Sequence, residues 1–179
     1  MFDQRIEWLL GEVGVLEAKD PKVLHWERQY LRELAKQVAD IAHLPIMGQR
    51  REMWTRHNGM ERVRPMILVF PEGSWRELLP ASALRCESAQ ARRCEWALRR
   101  RIYYHESIHD DMVIEDSWIV SKRITDTGWG LEAKHRPSDQ ENGAWAFDPV
   151  IKTESDLDKL RYPQVIYDQD GSDRDLEFV

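Results

Sequence analysis

The spacing of apolar positions predicts a helical first third of the chain. In the first twenty residues, apolar side chains recur at helical spacing until the break at Asp20-Pro21. The same spacing predicts a second helix over residues 23–43, which Pro45 ends. The polar stretch 49–58 continues as a further helix, with Asn58-Gly59 as its C-terminal signal.

The pattern then changes from helical spacing to short continuous apolar runs. Residues 66–70 form such a run, closed by Pro71-Glu72-Gly73, and predict a short strand buried on both faces. A long helical pattern covers residues 88–104, and residues 112–114 predict a second buried strand. A strand, helix and strand of this length predict a βαβ unit with parallel strands and a right-handed crossover. The C-terminal ends of both strands then lie at the same edge of the sheet.

The last third of the chain carries a different signal. Residues 117–149 are rich in Gly, Trp, Thr and Asp and predict a long loop or a β-ribbon. Thr153 and Asp156 form a capping box for a short helix, and the C-terminal end is acidic. We therefore predict an α/β chain with an N-terminal helical lead, 1–62, and a second domain, 63–179.

Composition places the chain among foldable proteins of a reducing compartment. Hydrophobic residues make up 42% and charged residues 32%, and no apolar run approaches the roughly 18 residues of a membrane span. Cys86 and Cys94 lie too far apart along one predicted helix for a disulfide. With no signal-peptide core after Met1, we expect a cytoplasmic protein without a membrane partner.

The net charge of −6 is unevenly distributed. Up to His105 there are 18 basic against 14 acidic residues, whereas the remainder has 8 against 18. The run Arg99-Arg100-Arg101 is interleaved with glutamates and is interpreted as a solvated helix face. We therefore expect no nucleic-acid partner.

The segment His105-Glu106-Ser107-Ile108-His109 matches the H-E-x-x-H motif. On a helix, this spacing places two imidazoles on one face to bind zinc, with the glutamate as general base. Here the helix would have to continue into the predicted strand at 112–114. A helix terminus with two surface histidines is therefore favoured, and a zinc hydrolase through His105 and His109 is an alternative.

Carboxylates and tryptophans follow both predicted strands. Glu72 and Trp75 follow the first, while Glu115, Asp116 and Trp118 end or follow the second. Ligands of parallel α/β folds bind at this edge, where two neighbouring carboxylates can share a proton, a metal or a substrate cation. The alternatives are a solvated strand exit for Glu115 and Asp116, a cap of the following helical turn for Glu72, and core packing for the tryptophans.

The order of several segments resembles the uroporphyrinogen decarboxylase superfamily, and within it the branch related to corrinoid methyltransferases and O-demethylases. These segments are LRELAKQVADIA, RVRPMILVF, DDMVIED and FDPVIKTESDLDKLRYP. The most specific points of likeness are the PxI before an acid-capped DLxKL helix and the strand that ends in an acidic residue.

The resemblance implies a (β/α)₈ barrel in which residues 66–70 and 112–114 are the first two strands. It implies methyl transfer to or from a corrinoid carrier, with Glu115 and Asp116 as catalytic groups. Substrate-binding roles then fall to the loop residues Glu72, Trp75 and Trp118. Corrinoid and zinc are implied as cofactors by the resemblance alone, and the late His and Cys zinc ligands of the family are not in this chain.

One departure from the family argues against porphyrinogen decarboxylation. The loop after the first predicted strand has no arginine before Arg76, and Glu72 stands where an anionic tetrapyrrole needs guanidinium groups.

Chain length limits what these residues can do alone. A complete barrel usually needs roughly 250 residues, whereas this chain has 179. We expect either the N-terminal segment of a longer protein, a chain completed by another, or a small α/β domain that forms a homo-oligomer. A completing chain and a corrinoid protein are the expected partners, and a non-catalytic binding or oligomerisation module is the alternative function.

Overall fold

The computed structural model describes residues 23–136, 138–139 and 146–178. Its contacts divide the chain into two compact units, Met1–Ile119 and Val120–Val179. The helix predicted over the first twenty residues lies outside the described residues. The domain limits predicted at 1–62 and 63–179 stay a prediction.

The described part of the first unit is helical, with extended connections. Its α-helices are α1 (His25–Ala42), α2 (Pro45–Asn58), α3 (Trp75–Leu78) and α4 (Ala89–Tyr103). Short 3₁₀ turns cover Glu72–Ser74 and Ala81–Ala83, and a π-helical turn covers Tyr104–Ile108. Pro45 occupies the first turn of α2, where its missing N–H costs nothing, and the Ser88 side chain caps α4. The helices predicted over 23–43, 49–58 and 88–104 are confirmed, each with a boundary shift.

The core of this unit forms mainly where α1 packs against α4. Its apolar members come from every helix of the unit and from the segment after α4: Leu34, Val38, Met47, Trp75, Leu79, Leu98, Tyr104 and Ile114. Each fully buried aliphatic side chain of this size contributes about 1.5 to 3 kcal/mol to folding.

Two carboxylates are buried in the same unit. Glu27 accepts hydrogen bonds from the backbone N–H groups of Glu87 and Ser88, at 2.7 and 2.9 Å. Glu95 accepts from the N–H of Cys86 at 2.8 Å. Burial alone raises the pKa of each carboxyl, but the backbone hydrogen bonds together outweigh burial and lower it. The two acids therefore attach the loop before α4 to α1 and α4.

The two predicted parallel strands do not form, which corrects the βαβ prediction. The Ile67 N–H donates to the Asp111 carboxylate and the Val69 N–H to the Asp110 carboxylate, each at 2.9 Å. The Asp111 N–H also donates to the Ile67 carbonyl at 2.9 Å, so the two segments lie side by side, joined by one backbone–backbone hydrogen bond and by aspartate side chains in place of a strand ladder. Within the described residues there is no closed barrel, and the fold is helices with small antiparallel sheets.

The run predicted to be buried on both faces is instead exposed. Ile67 is 59% exposed, and Leu68, Val69 and Phe70 are each exposed as well. An apolar run of this kind is buried only when other segments cover its faces and edges. The described part of the first unit does not provide that cover.

The second unit consists of two antiparallel pairs and short helices. Strand β1 (Arg123–Asp126) pairs with β4 (Val165–Asp168), and β2 (Lys134–Arg136) pairs with β3 (Ala146–Asp148). A 3₁₀ helix covers Glu154–Lys159 and α5 covers Gln169–Phe178. The β2–β3 pair agrees with the ribbon interpretation of residues 117–149, and the Thr153–Asp156 capping box is confirmed. None of the described helices is long and apolar enough to cross a lipid bilayer.

Candidate functional site

One face of α2 holds the backbone of residues 111–115. The face consists of side chains at helical spacing: Met47, Arg50, Arg51 and Trp54. Arg50 donates to the carbonyl of Met112 and Trp54 to the carbonyl of Asp111, both at 2.8 Å. This helix, which the sequence marks only as polar, therefore positions the segment that carries the predicted catalytic acids.

Glu115 forms a two-point ion pair with Arg51. Arg51 Nη2 lies 3.0 Å from Glu115 Oε2, and Arg51 Nε lies 3.3 Å from Oε1. The hydrogen bond to Glu115 raises the pKa of Arg51. The Glu115 side chain remains about half exposed, at 52%, so the carboxylate is oriented but still accessible to solvent.

The other two predicted site residues of this segment, Asp116 and Trp118, each have a basic side chain nearby. Asp116 Oδ2 lies 3.7 Å from Nε2 of the exposed His43. Trp118 is half-buried, and the Arg101 guanidinium lies 5.5 Å from its ring centroid. Arg101 also donates to the carbonyl of Ser117 at 3.0 Å. The structure therefore brings Glu115, Asp116 and Trp118 to one edge of the first unit.

The two predicted residues from the earlier loop are placed differently. Trp75 is 7% exposed and lies in the core, with Tyr103 and Tyr104 at centroid distances of 5.6 and 5.5 Å. Glu72 is exposed and has a φ of 49°, in the left-handed region that a residue with a Cβ seldom adopts. Among the described contacts, no hydrogen bond or ion pair joins Glu72 to Glu115 or Asp116.

The H-E-x-x-H segment does not form an α-helical face. Tyr104–Ile108 is a π-helical turn, and His109 ends it with a φ of 55°. In the described ranges, no group of three His, Cys, Asp or Glu side chains is arranged to hold a metal. Burial raises the pKa of Cys86 to about 12 and that of Cys94 to about 11, so both thiols stay protonated. The described residues do not fit a zinc ion.

A pocket of about 80 Å³ lies beside Glu115, between α4 and the following extended segment. Its lining residues are Ala97, Arg100, Arg101, Tyr104, Met112, Val113, Ile114 and Glu115. Pockets for drug-sized ligands usually measure about 300 to 1,000 Å³, so a corrin ring does not fit this one. Two of its three charged residues are arginines.

These arginines correct the prediction of a solvated face at Arg99-Arg100-Arg101. Arg100 is 8% exposed and Arg101 is half-buried. Helical spacing could have shown this, because Arg100 lies three residues after the buried Ala97 and four before the buried Tyr104. The positive charge of the three arginines, taken alone, suggested a surface position for them.

The geometry can be compared with known proteins. No family model, curated protein or solved structure matches the chain. What its residues do therefore has to be inferred from its own contacts.

Proposed function

We propose that the first unit forms one wall of a uroporphyrinogen decarboxylase/methyltransferase-like barrel, and that the completed site transfers a methyl group to or from a corrinoid carrier. The order of the sequence motifs supports the family. The observation that carries the proposal is an exposed apolar segment, residues 67–70, that has one unpaired edge and lies in the same unit as the acidic edge at Glu115 and Asp116.

The unpaired edge is defined by its hydrogen bonds. The N–H groups of Ile67 and Val69 are bonded on one side, and Tyr104 donates to the carbonyl of Val69 at 2.9 Å. The backbone groups of Leu68 and Phe70, which face the other side of an extended chain, have no hydrogen bond within the described residues. An exposed apolar edge of this kind accepts a further strand, from a continuing chain or from a partner.

The acidic edge supplies chemistry suited to a polar substrate. We assign Glu115 and Asp116 as acid/base or substrate-binding groups, with Arg51 orienting the first and His43 beside the second. Trp118 provides an apolar wall. The corrinoid would enter as a substrate on its carrier, with the methyl group on its cobalt, and the residues named here would bind and orient the methyl donor or acceptor. Within the described residues, no group of three His, Cys, Asp or Glu side chains is arranged to hold zinc.

The test uses the protein purified under native conditions, together with any chain that co-purifies with it and completes the barrel. Methylcobalamin serves as the methyl donor probe and 2-mercaptoethanol as the acceptor, under anaerobic conditions. The thiolate sulfur takes the methyl group and becomes the methyl thioether, the electrons of the cobalt–carbon bond stay on the corrinoid as cob(I)alamin, and the change is followed by visible absorbance. We expect Glu115→Gln and Asp116→Asn each to lower kcat/KM by about tenfold or more, the usual range for a positioned acid or base.

Glu61→Gln is the matched control. Glu61 pairs with Arg56 at 2.8 Å, and its side chain is as exposed as that of Glu115, but it lies at the end of α2 outside the acidic edge. It should leave turnover unchanged. Absence of methyl transfer, or full activity in both site variants, would overturn the proposal.

The same edge favours a second candidate, a non-catalytic module that assembles through residues 67–70 with a second copy of the chain. Light scattering after size exclusion separates the candidates. A stable oligomer of fixed stoichiometry that Ile67→Lys dissociates supports the module. Ile119→Lys is the control, because Ile119 is equally exposed, at 60%, but lies off this edge. A loosely aggregating chain supports the incomplete barrel.

A further inference from the structure

No carboxylate in the described structure neutralises the buried charge of Arg100, and the hydrogen-bonding partner of its guanidinium there is the uncharged Tyr104 hydroxyl. Its guanidinium lies between two tryptophan rings, 4.9 Å from the Trp75 centroid and 4.3 Å from the Trp96 centroid. Its Nε is buried and has no hydrogen-bond partner, and no ion pair with a described carboxylate is formed. Buried charges in proteins normally have an ionic or hydrogen-bonding partner. The two rings and the Tyr104 hydroxyl compensate only part of the lost hydration, so the charge has no anionic partner among the described residues.

A second guanidinium lies next to it on the same wall. Arg101 donates to the carbonyls of Glu115 and Ser117, at 3.4 and 3.0 Å, and these acceptors are uncharged. Burial lowers the pKa of both Arg100 and Arg101. Because arginine nevertheless stays protonated, the two side chains concentrate positive charge where little water can screen it.

Both arginines line the pocket of about 80 Å³ beside Glu115. The Glu115 carboxylate attracts Arg101 and partly offsets the effect of burial on the pKa of Arg101, but both of its oxygens are bound by Arg51 and it forms no direct ion pair with Arg100 or Arg101 among the described contacts. The rest of the lining is apolar apart from the tyrosine hydroxyl: Ala97, Tyr104, Met112, Val113 and Ile114. The Tyr104 hydroxyl donates to the Val69 carbonyl. The pocket therefore combines a cationic wall with an aliphatic one.

We propose that this pocket binds the carboxylate group of a short aliphatic acid. The carboxylate lies against the guanidinium groups of Arg100 and Arg101 and places its hydrocarbon stem against Ala97, Met112 and Ile114. Inorganic phosphate fits less well, because its remaining oxygens would face aliphatic side chains that cannot donate hydrogen bonds. The size of the pocket limits the stem to a few carbons. This inference is independent of methyl transfer.

The test is calorimetric titration of the full chain with sodium propionate at constant ionic strength, in a buffer without carboxylates. We expect saturable one-to-one binding with a dissociation constant on the order of 1 mM. Arg101→Gln should weaken binding by about tenfold, because charge-assisted hydrogen bonds are the strong contacts of such a site. Arg100→Lys, which keeps the charge but removes the planar guanidinium, should weaken it by a similar factor.

Controls separate this site from general attraction of anions. Arg93→Gln removes an exposed arginine of the same helix that does not line the pocket, and it should bind propionate as the unaltered chain does. Propionamide, which has the same shape without the charge, should not bind. Circular dichroism identifies any variant that fails to fold, and Arg101→Gln then decides. Unchanged binding in a folded Arg101→Gln, tighter binding of phosphate, or no saturation by about 50 mM propionate would overturn the proposal.

Discussion

The two units of the chain are stabilised by different kinds of contact. The first unit buries a cluster of apolar side chains between α1, α2 and α4, together with the hydrogen-bonded acids Glu27 and Glu95. In the described part of the second unit, the buried residues are Gly171, Ser172 and Asp175, and no apolar side chain is buried.

Polar contacts and close backbone packing replace a core in the second unit. Arg123 and Asp175 form a two-point ion pair, at 2.6 and 2.7 Å, with both side chains largely buried. A Cβ at Gly171 would collide with the Asp168 carboxylate and the Arg123 side chain, so both side chains would have to shift to admit any other residue. Ion pairs and strand pairing contribute less than apolar burial, so the first unit should carry most of the stability.

The largest expected effect is on the core of the first unit. Leu34 is 6% exposed, and Leu34→Ala should lower the free energy of unfolding of this unit by about 2 to 5 kcal/mol, through lost burial and a residual cavity. Leu176 of α5 is 64% exposed, and Leu176→Ala should change stability by less than about 0.5 kcal/mol. Urea unfolding combined with hydrogen exchange resolved by segment measures both. Similar losses at the two leucines would abolish the contrast between the units.

The second largest expected effect is a pH dependence of the free energy of unfolding of the first unit. The Arg64 guanidinium, helped by the Ile67 N–H, lowers the pKa of Asp111 from 3.8 to about 2. Because the folded-state pKa lies below the unfolded value, the stabilisation is complete above about pH 4 and is lost as pH falls toward 2. The loss should reach about 2 kcal/mol, measured by urea unfolding between pH 5 and pH 2.

Asp111→Asn should remove that dependence, since an amide does not titrate. Asp40→Asn, at an exposed position of α1, should leave it in place. An acid transition equally steep in Asp111→Asn and in the unaltered chain would show that the aspartate does not anchor the extended segment.

The smallest effect is expected at the ion pair of the second unit. Asp175→Asn keeps one acceptor oxygen for Arg123 but removes the charge, and should cost about 1 to 2 kcal/mol locally. Faster hydrogen exchange in β1 and β4, with no change in α1 or α4, is the expected readout. Glu177→Gln, at an exposed position of the same helix, is the control. Protection of β1 that is unaffected by Asp175→Asn would mean that strand pairing alone holds this unit.

The helices and caps were predictable because their causes are local. Pro45, Ser88 and the Thr153–Asp156 box act within a few residues of their own positions, and apolar spacing is a property of each segment. The same locality explains why the two predicted strands failed to form a sheet. The apolar run at 66–70 indicates that the segment favours burial. A strand forms there only when a neighbouring segment supplies backbone hydrogen bonds.

The candidate site was only partly predictable for the same reason. The acids Glu115 and Asp116 and the nearby Trp118 were recognisable from their place after an apolar run. Arg51 was not, because its pairing with Glu115 joins residues 64 positions apart.

The sequence alone determines the helical segments of the chain and where they end. It also determines the apolar run at 66–70, which needs a neighbouring segment in order to be buried. Tertiary structure decided that Asp110 and Asp111 bind that run on one edge, that α2 orients Glu115, and that Arg100 is buried between two tryptophans. The physical reason is the separation along the chain over which each interaction acts. Capping and helical periodicity act over a few residues, whereas burial of a charge and pairing of a strand depend on groups that only folding brings together.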